Sequence, residues 1–119
     1  MNLSSLDFQQ ARIKQVLFKS RLRSVLYGVR EADDGLFVLR DNPLGQWFET
    51  VIRPAYAGRP EAYELERALQ RMLDTGQELV KQYRRGQIEE ARAGLDRVDA
   101  HAARIESLLQ ALEQAANAA

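Results

Sequence analysis

The sequence predicts an all-α protein: an antiparallel four-helix bundle of three long helices and one short helix, which follows a buried loop. Its three prolines, Pro43, Pro54 and Pro60, fall within one short stretch, and proline interrupts helix interiors. On either side of that stretch apolar residues recur at intervals of three and four, the spacing of one helix face. The one candidate strand, residues 36–39, would have no second strand to pair with.

The first helix is predicted to begin at Ser4 or Ser5, because serine is a favoured N-cap, and to stop at Gly28. Between these residues the apolar side chains follow the helical period. They are Leu6, Ile13, Val16, Leu17, Leu22, Val25 and Leu26. This spacing predicts the first long helix of the bundle.

The middle of the chain is predicted to be a loop followed by a short helix. Residues 33–35 are a turn sequence, and the apolar run 36–39 is expected to lie as a buried loop across the helices. Asn42 is a suitable N-cap, and Pro43 suits the first helical position. We expect this helix to end before Pro54, because proline disfavours helical backbone in the preceding residue.

Two further long helices are predicted for the C-terminal half. Pro60 and Glu61 suit a helix start, since proline fits the first turn and acids favour the positive end of the helix dipole. Gly86 should end that helix, and Gln87 should begin a last one whose apolar stripe continues for about seven turns. The alanine-rich tail, residues 114–119, carries no packing signal and is expected to fray.

The composition limits the chemistry that is available. The 119 residues suit a single domain, 1–119, and the 17 acidic and 17 basic side chains balance. The absence of cysteine excludes disulfides, thiolate catalysis and sulfur ligands for zinc. No apolar leader begins the chain and no run is long enough to span a bilayer, which indicates a cytoplasmic protein without a membrane partner.

No catalytic or cofactor-binding motif is present, so we expect neither enzymatic activity nor a cofactor. No serine has an assignable base, no glycine-rich phosphate loop occurs, and residues 33–35 lack the ligand spacing of a calcium loop. The only histidine, His101, could be the phosphoacceptor of a histidine phosphotransfer bundle, which requires it to project into solvent. A surface or boundary histidine is the favoured interpretation.

A run of basic residues leaves nucleic-acid binding open as an alternative function. On a helix these charges spread over more than one face, and only Phe18 and Tyr27 supply aromatic rings among them. A solvated helix face is therefore favoured. The basic residues are Arg12, Lys14, Lys19, Arg21, Arg23 and Arg30.

Three short motifs occur in an order that resembles one known family. Residues 18–22 resemble the His-x-x-Trp-Lys-x-x-Leu stretch of the chemoreceptor zinc-binding (CZB) domains, and residues 43–47 resemble their Cys-x-Leu-Gly-Lys-Trp block. Pro60 and Glu61 followed by Leu65 resemble the helix that carries the family's two histidines. The resemblance covers residues 5–112. Its motif residues are Phe18, Lys19, Pro43, Leu44, Gly45 and Trp47.

The resemblance also implies a zinc site, held by one histidine of the first helix, one cysteine before the Leu-Gly block and two histidines of the third helix. These positions correspond to Gln15, Asn42, Leu69 and Leu73. Neutral amides are weak zinc ligands and leucine supplies no ligand atom. We therefore expect a metal-free CZB-like domain in which packing replaces the metal.

The function implied by the resemblance is that of a regulatory domain in bacterial signalling. CZB domains are attached to chemoreceptors or to diguanylate cyclases, which make cyclic di-GMP, so the expected partner is a chemoreceptor, a diguanylate cyclase or a kinase. Family habit and the long alanine and leucine stripe of the last helix also favour a homodimer. The chain would be a stand-alone module or the N-terminal part of a longer protein. The partner-binding surface is not identified by the sequence.

Overall fold

The computed structural model describes residues 3–118, and every regular element in that range is a helix. The prediction of an all-α fold is therefore confirmed. The elements are α1 (Ser5–Leu26), α2 (Pro43–Trp47), a π-helical turn (Phe48–Ile52), α3 (Arg53–Tyr56), α4 (Pro60–Arg84), α5 (Ile88–Ala93) and α6 (Leu95–Ala118).

Helix α1 has the predicted ends. Ser4 is its N-cap, and the Ser4 N–H donates to a carboxylate oxygen of Asp7 at 2.9 Å, which is half of a capping box. At the other end the chain turns away at Gly28, whose φ of 75° suits glycine. These local signals lie within a few residues of each helix end, so the sequence alone defines the helix.

The buried face of α1 differs from the apolar spacing noted in the sequence. Leu22, Val25 and Leu26 are buried, but Leu6, Ile13, Val16 and Leu17 all lie at the surface. The inward face is instead completed by Phe8, Ala11, Gln15 and Phe18. Two apolar faces compete on this helix, and the one with two phenylalanine rings is buried because it removes more apolar area from water.

The loop between α1 and α2 contains no strand and lies against the helices, but residues 36–39 are buried only in part, since Val38 is exposed. Leu36 is buried, and the Phe37 ring meets Phe18 edge-on with 6.2 Å between the ring centroids. Phe37 also packs close to Gly76 of α4, where a Cβ would lie 2.9 Å from the ring. The loop thus covers the side of the molecule where α1 meets α4.

The prediction that the short helix ends before Pro54 is wrong. Helical backbone continues from α2 through the π-helical turn into α3, which ends at Tyr56. In the wide turn the Arg53 N–H donates to the carbonyl of Phe48, five residues back. Pro54 directly follows this wide turn, where the altered spacing accommodates a ring that would clash with the carbonyl four residues back in a regular helix.

The last helix is interrupted, which corrects the prediction of one continuous helix. At Gly94 the chain leaves α5, and the Arg97 N–H donates to the Gly94 carbonyl only three residues back, at 2.9 Å. A Cβ at Gly94 would lie 2.3 Å from a methyl carbon of Leu79 in α4. The break therefore occurs where α4 packs directly on the backbone.

The alanine-rich tail, whose fraying stays a prediction, has helical backbone in the structure. Helix α6 continues to Ala118, and Ala115 and Ala116 are half-buried. Ala119 lies outside the described residues. Alanine has the highest helix propensity, which sustains the helix where packing is sparse.

Polar contacts join α1 to the α5–α6 segment between Arg12 and the C-terminal end of α1. As the residue number increases along α1, the residue number of its contact partner in the α5–α6 segment decreases. The pairs are Arg12 with Glu106, Gln15 with Ala102, Lys19 with Asp99 and Leu26 with Arg92.

The close approach at Gly45 makes a testable prediction. A Cβ at this position would lie 1.8 Å from the carbonyl oxygen of Leu39, which is backbone and has no rotamer to change. Gly45→Ala should therefore lower the free energy of unfolding by about 3 kcal/mol, the upper end of typical overpacking costs. Chemical denaturation followed by circular dichroism measures it.

The neighbouring exposed residue supplies the control. Gln46→Ala should stay within about 0.5 kcal/mol of the parent protein, as surface substitutions do. Without the clash, Gly45→Ala would raise stability, since alanine is the better helix former by about 1 kcal/mol. A stabilised Gly45→Ala protein would contradict this packing.

Candidate functional site

The four positions that correspond to the family's zinc ligands are all buried. Leu69 and Leu73 lie one turn apart on α4, and each is 1 % exposed within the main apolar core. Gln15 on α1 and Asn42 before α2 are the two buried polar side chains of the described residues. No hydrogen bond joins these two amides among residues 3–118.

Both the nitrogen and the oxygen of the Asn42 side-chain amide bond to backbone nearby in sequence. Its Nδ2 donates to the carbonyl of Leu36 at 2.8 Å, and its Oδ1 accepts from the N–H of Leu44 at 2.9 Å. The second bond is the N-cap bond of α2, and the first closes the preceding loop. The predicted capping role of Asn42 is confirmed.

Gln15 joins α1 to α6. Its Nε2 donates to the carbonyl of Ala102 at 3.0 Å, while its buried Oε1 has no hydrogen-bond partner among the described residues. A buried acceptor without a partner typically costs about 1–3 kcal/mol. Gln15 therefore fastens two helices at some cost in stability.

These residues do not fit a zinc ion. The Asn42 amide is occupied on both sides, and Leu69 and Leu73 carry no donor atom. Within residues 3–118, no cluster of three or more histidine, cysteine, aspartate or glutamate side chains could hold a metal ion. The four positions act instead as packing and capping residues.

The other residues of the motif have structural roles in the described chain. Pro43 occupies the first turn of α2, and Leu44 and Trp47 are buried. The Trp47 ring meets Phe8 of α1 edge-on, with 6.1 Å between centroids. The ammonium group of Lys19 lies 2.8 Å from the carboxylate of Asp99. Residues 43–47 therefore attach α2 to α1.

Two neighbouring depressions run along α1 on the side of α2. A cavity of about 40 Å³ lies between α1 and the loop, and Leu17, Phe18, Leu36 and Asn42 are among its lining residues. Beside it is an open groove between α1 and the following helical segment, here called the α1–α2 groove. Its lining residues are Gln10, Lys14, Pro43, Gln46, Trp47, Thr50 and Val51.

The outer side of α1 carries an exposed apolar surface, here called the α1 apolar face and defined by Leu6, Ile13, Val16 and Leu17. Their exposed fractions are 67, 54, 65 and 50 %. The sequence-based predictions did not include this face, although one signal was present. The apolar residues of α1 occupy more than one helix face, so a single buried face could not hold them all.

The basic residues of α1 are mostly neutralised within the protein. Arg12 contacts both Glu106 and Glu113 at 2.9 Å, and Lys19 pairs with Asp99. Burial acts to lower the pKa of Arg12, but hydrogen bonds from its guanidinium to the two glutamates outweigh it and leave the pKa raised. The first-helix cations are therefore largely committed to intramolecular partners.

The remaining basic side chains divide into two groups. Arg21 and Arg30 lie 3.6 and 3.5 Å from Asp33. Lys14 and Arg23 have no ion-pair partner among residues 3–118. A nucleic-acid-binding helix would present many unneutralised cations on one side, and this helix does not.

His101 faces a neighbouring helix and is half-buried. Its Nε2 lies 3.2 Å from the Thr75 hydroxyl of α4, so the ring is held between α4 and α6. Burial lowers the pKa of His101, and the nearby positive charges of Arg71 and Arg97 lower it further. The histidine does not project into solvent as a phosphoacceptor must.

The apolar stripe of α6 is used within the chain. Its members pack inside the bundle, so this stripe leaves no surplus surface for a second copy. The buried residues are Val98, Ala102, Ile105, Leu108, Leu109 and Leu112. Helix α1, by contrast, exposes four large apolar side chains on one side.

Comparisons with protein-family models, with curated proteins and with solved structures gave no match. None of the helices in the described part of the chain has both the length and the apolar composition required to cross a bilayer.

The packing of the four ligand positions predicts how the protein responds to zinc. Purified protein should contain no stoichiometric zinc by elemental analysis, and its melting temperature should be the same with and without a chelator. The positive control is the protein with Gln15→His, Asn42→Cys, Leu69→His and Leu73→His together, which should bind zinc and melt higher with it. Zinc in the parent protein, or none in the fourfold variant, would contradict the assignment of these positions.

His101 predicts a pH dependence of stability. Its pKa in the folded protein lies below the ordinary 6.5, so the unfolded chain binds the proton more tightly. The free energy of unfolding should therefore be highest above that pH and fall as the pH drops through 6.5 towards the folded value. His101→Gln leaves no imidazole and should flatten this fall between about pH 7.5 and 5.5 in denaturant titrations. Equal slopes for the two proteins would contradict the lowered pKa.

Proposed function

We propose that this protein is a metal-free, CZB-like regulatory module of bacterial signalling that works through protein–protein contacts and catalyses no reaction. The expected setting is cytoplasmic, in chemotaxis or in cyclic di-GMP control. The proposed partner is a chemoreceptor, a diguanylate cyclase or a kinase. The observation that carries the proposal is the α1 apolar face, which is exposed beside the α1–α2 groove.

The four side chains of the α1 apolar face are each at least half exposed, and leaving them in water forgoes the free energy of burial. Burying a Val, Leu or Ile side chain typically contributes about 1.5–3 kcal/mol, and three such side chains lie close together at positions 13, 16 and 17. Contiguous apolar patches on soluble proteins commonly mark contact sites. These residues do not contribute to the core, because α1 packs into it through the opposite face, which carries Phe8 and Phe18. A contact site is therefore the simplest use of the α1 apolar face.

The proposed architecture is the antiparallel four-helix bundle expected from the sequence. The falling order of contact partners between α1 and the α5–α6 segment supports it. The pairs between α4 and α6 follow the same order: Glu64 with Arg104, Thr75 with His101 and Glu78 with Arg97. Such a bundle holds α1 on the outside of the α4–α6 pair, with one face left for a partner.

A homodimer is the second candidate use of the same face. The α6 stripe no longer supports it, since its residues are buried within one chain. The α1 apolar face does supply apolar area for a two-fold contact. Sedimentation or light scattering at micromolar concentration tests this directly.

The two rival functions have less support. Nucleic-acid binding requires free cations on α1, and three of the five basic residues of that helix have carboxylate partners, as does Arg30 just beyond it. Phosphotransfer requires a solvent-facing histidine, and His101 contacts Thr75. Neither rival makes use of the exposed apolar surface.

A cell experiment tests the proposed function. Deleting the gene from the source bacterium should change spreading in soft agar or the cellular level of cyclic di-GMP. The parent protein should restore the deleted strain, whereas the variant Ile13→Gln/Leu17→Gln should not, because it removes apolar contact area from exposed positions. Purified variant protein should melt as the parent does.

The matched control is Tyr63→Gln, which removes an exposed apolar side chain from α4 and should restore the deleted strain fully. Two results would contradict the proposal. The deletion could leave both readouts unchanged, or the double α1 variant could restore the strain as well as the parent protein does.

A further inference from the structure

The α1 apolar face and the depressions beside it form one continuous surface. Leu17 belongs to the apolar face and also lines the small cavity next to the loop. Lys14 and Pro43 line that cavity and the α1–α2 groove alike. Because these lining residues are shared, a partner that covers Leu17 also lies next to the cavity and the α1–α2 groove.

The charges on this surface have a single sign. Its charged lining residues are Arg12, Lys14 and Arg21, and no aspartate or glutamate lines the cavity, the α1–α2 groove or the shallow depression over Ile13, Val16 and Leu17. Arg12 is held by two glutamates and Arg21 lies near Asp33. Lys14 has no ion-pair partner in the described chain, so it is an uncompensated cation at the rim of the α1 apolar face, where that face meets the α1–α2 groove.

We propose that this surface binds an amphipathic helix of a partner protein whose apolar residues are flanked by carboxylates. The inference rests on the proposed function and specifies the chemistry of the partner. Apolar side chains of the bound helix would cover Ile13, Val16 and Leu17. A glutamate or aspartate beside them would pair with Lys14.

A helix suits the surface better than other shapes. Residues 10–21 of α1 extend for about 16 Å, which three turns of a bound helix match. Two helices pack against each other through rows of side chains at intervals of three and four, the spacing shown by Ile13, Val16 and Leu17. A strand-adding peptide has no sheet edge to join within residues 3–118.

The charge pattern disfavours a second copy of this chain as the occupant. Two copies joined through this surface would bring Lys14 and Arg21 of one protomer close to the same cations of its partner. No carboxylate lines the surface to separate them. Like charges brought together at an interface oppose association, whereas an acidic helix relieves the same cations.

Peptides of defined charge test the proposal. The probe is a tryptophan-free helical peptide with leucines at positions i, i+3, i+4 and i+7 and glutamates on both flanks. Its counterparts carry lysine in place of each glutamate, or the same composition in scrambled order. Trp47 is the only tryptophan of the protein and lines the groove, so its fluorescence reports binding alongside the anisotropy of labelled peptide.

We expect the glutamate peptide to bind at least about tenfold more tightly than the lysine peptide, and the scrambled peptide to bind weakly. Affinity should fall as salt is raised from about 0.05 to 0.5 M, because the Lys14 pair is at the rim. Lys14→Glu should reverse the preference in favour of the lysine peptide. Arg67→Glu, which changes an exposed cation of α4 outside this surface, should leave both affinities unchanged.

Three results would overturn the proposal. They are equal affinity for the two charged peptides, no effect of Lys14→Glu on their order, and no binding of any peptide at millimolar concentration. A dimer that Ile13→Gln/Leu17→Gln abolishes would assign the surface to a second copy and overturn it too. The cell experiment tests the proposed function separately. The double variant Ile13→Gln/Leu17→Gln can fail to restore the deleted strain even if the acidic peptide does not bind.

Discussion

The arrangement of the molecule around α1 depends on the Asn42 side chain. Its amide accepts the bond that starts α2 and donates the bond that closes the preceding loop at Leu36. With both bonds in place, Leu44 and Trp47 point into the core and Phe37 lies against Phe18. The cavity and the α1–α2 groove exist because this amide holds the loop and α2 at a fixed distance from α1. A polar side chain that is 2 % exposed thereby determines the shape of a surface.

The features that could be predicted from the sequence are those that depend on neighbouring residues. Ser4, Gly28, Pro60 and Gly86 mark helix ends through local backbone preferences, and the structure places helix ends at each of them. The break at Gly94 depends on a distant partner, Leu79, which local sequence does not reveal.

The same limit explains why the exposed face of the candidate site was not predicted. Periodicity shows that α1 is helical but does not choose between its two apolar faces, and ring volume at Phe8 and Phe18 decides the choice. The positions that correspond to the CZB zinc ligands were expected to be buried, and the structure buries all four. They are Gln15, Asn42, Leu69 and Leu73. The exposed surface could be recognised only once the inward face was known.

The π-helical turn has a consequence for how this chain tolerates change in its length. One added residue advances a helix by about 100°, so a widened turn absorbs an insertion without unwinding the helix beyond it. The rotation places Arg53 between Glu49 one turn earlier and Glu66 on α4, and the guanidinium bonds to both carboxylates. Removing a single residue from positions 48–52 would restore a regular helix but swing that guanidinium away from α4. An insertion or deletion at positions 48–52 would therefore change the rotation of α3 about the helix axis, while α2 would keep its contacts with α1.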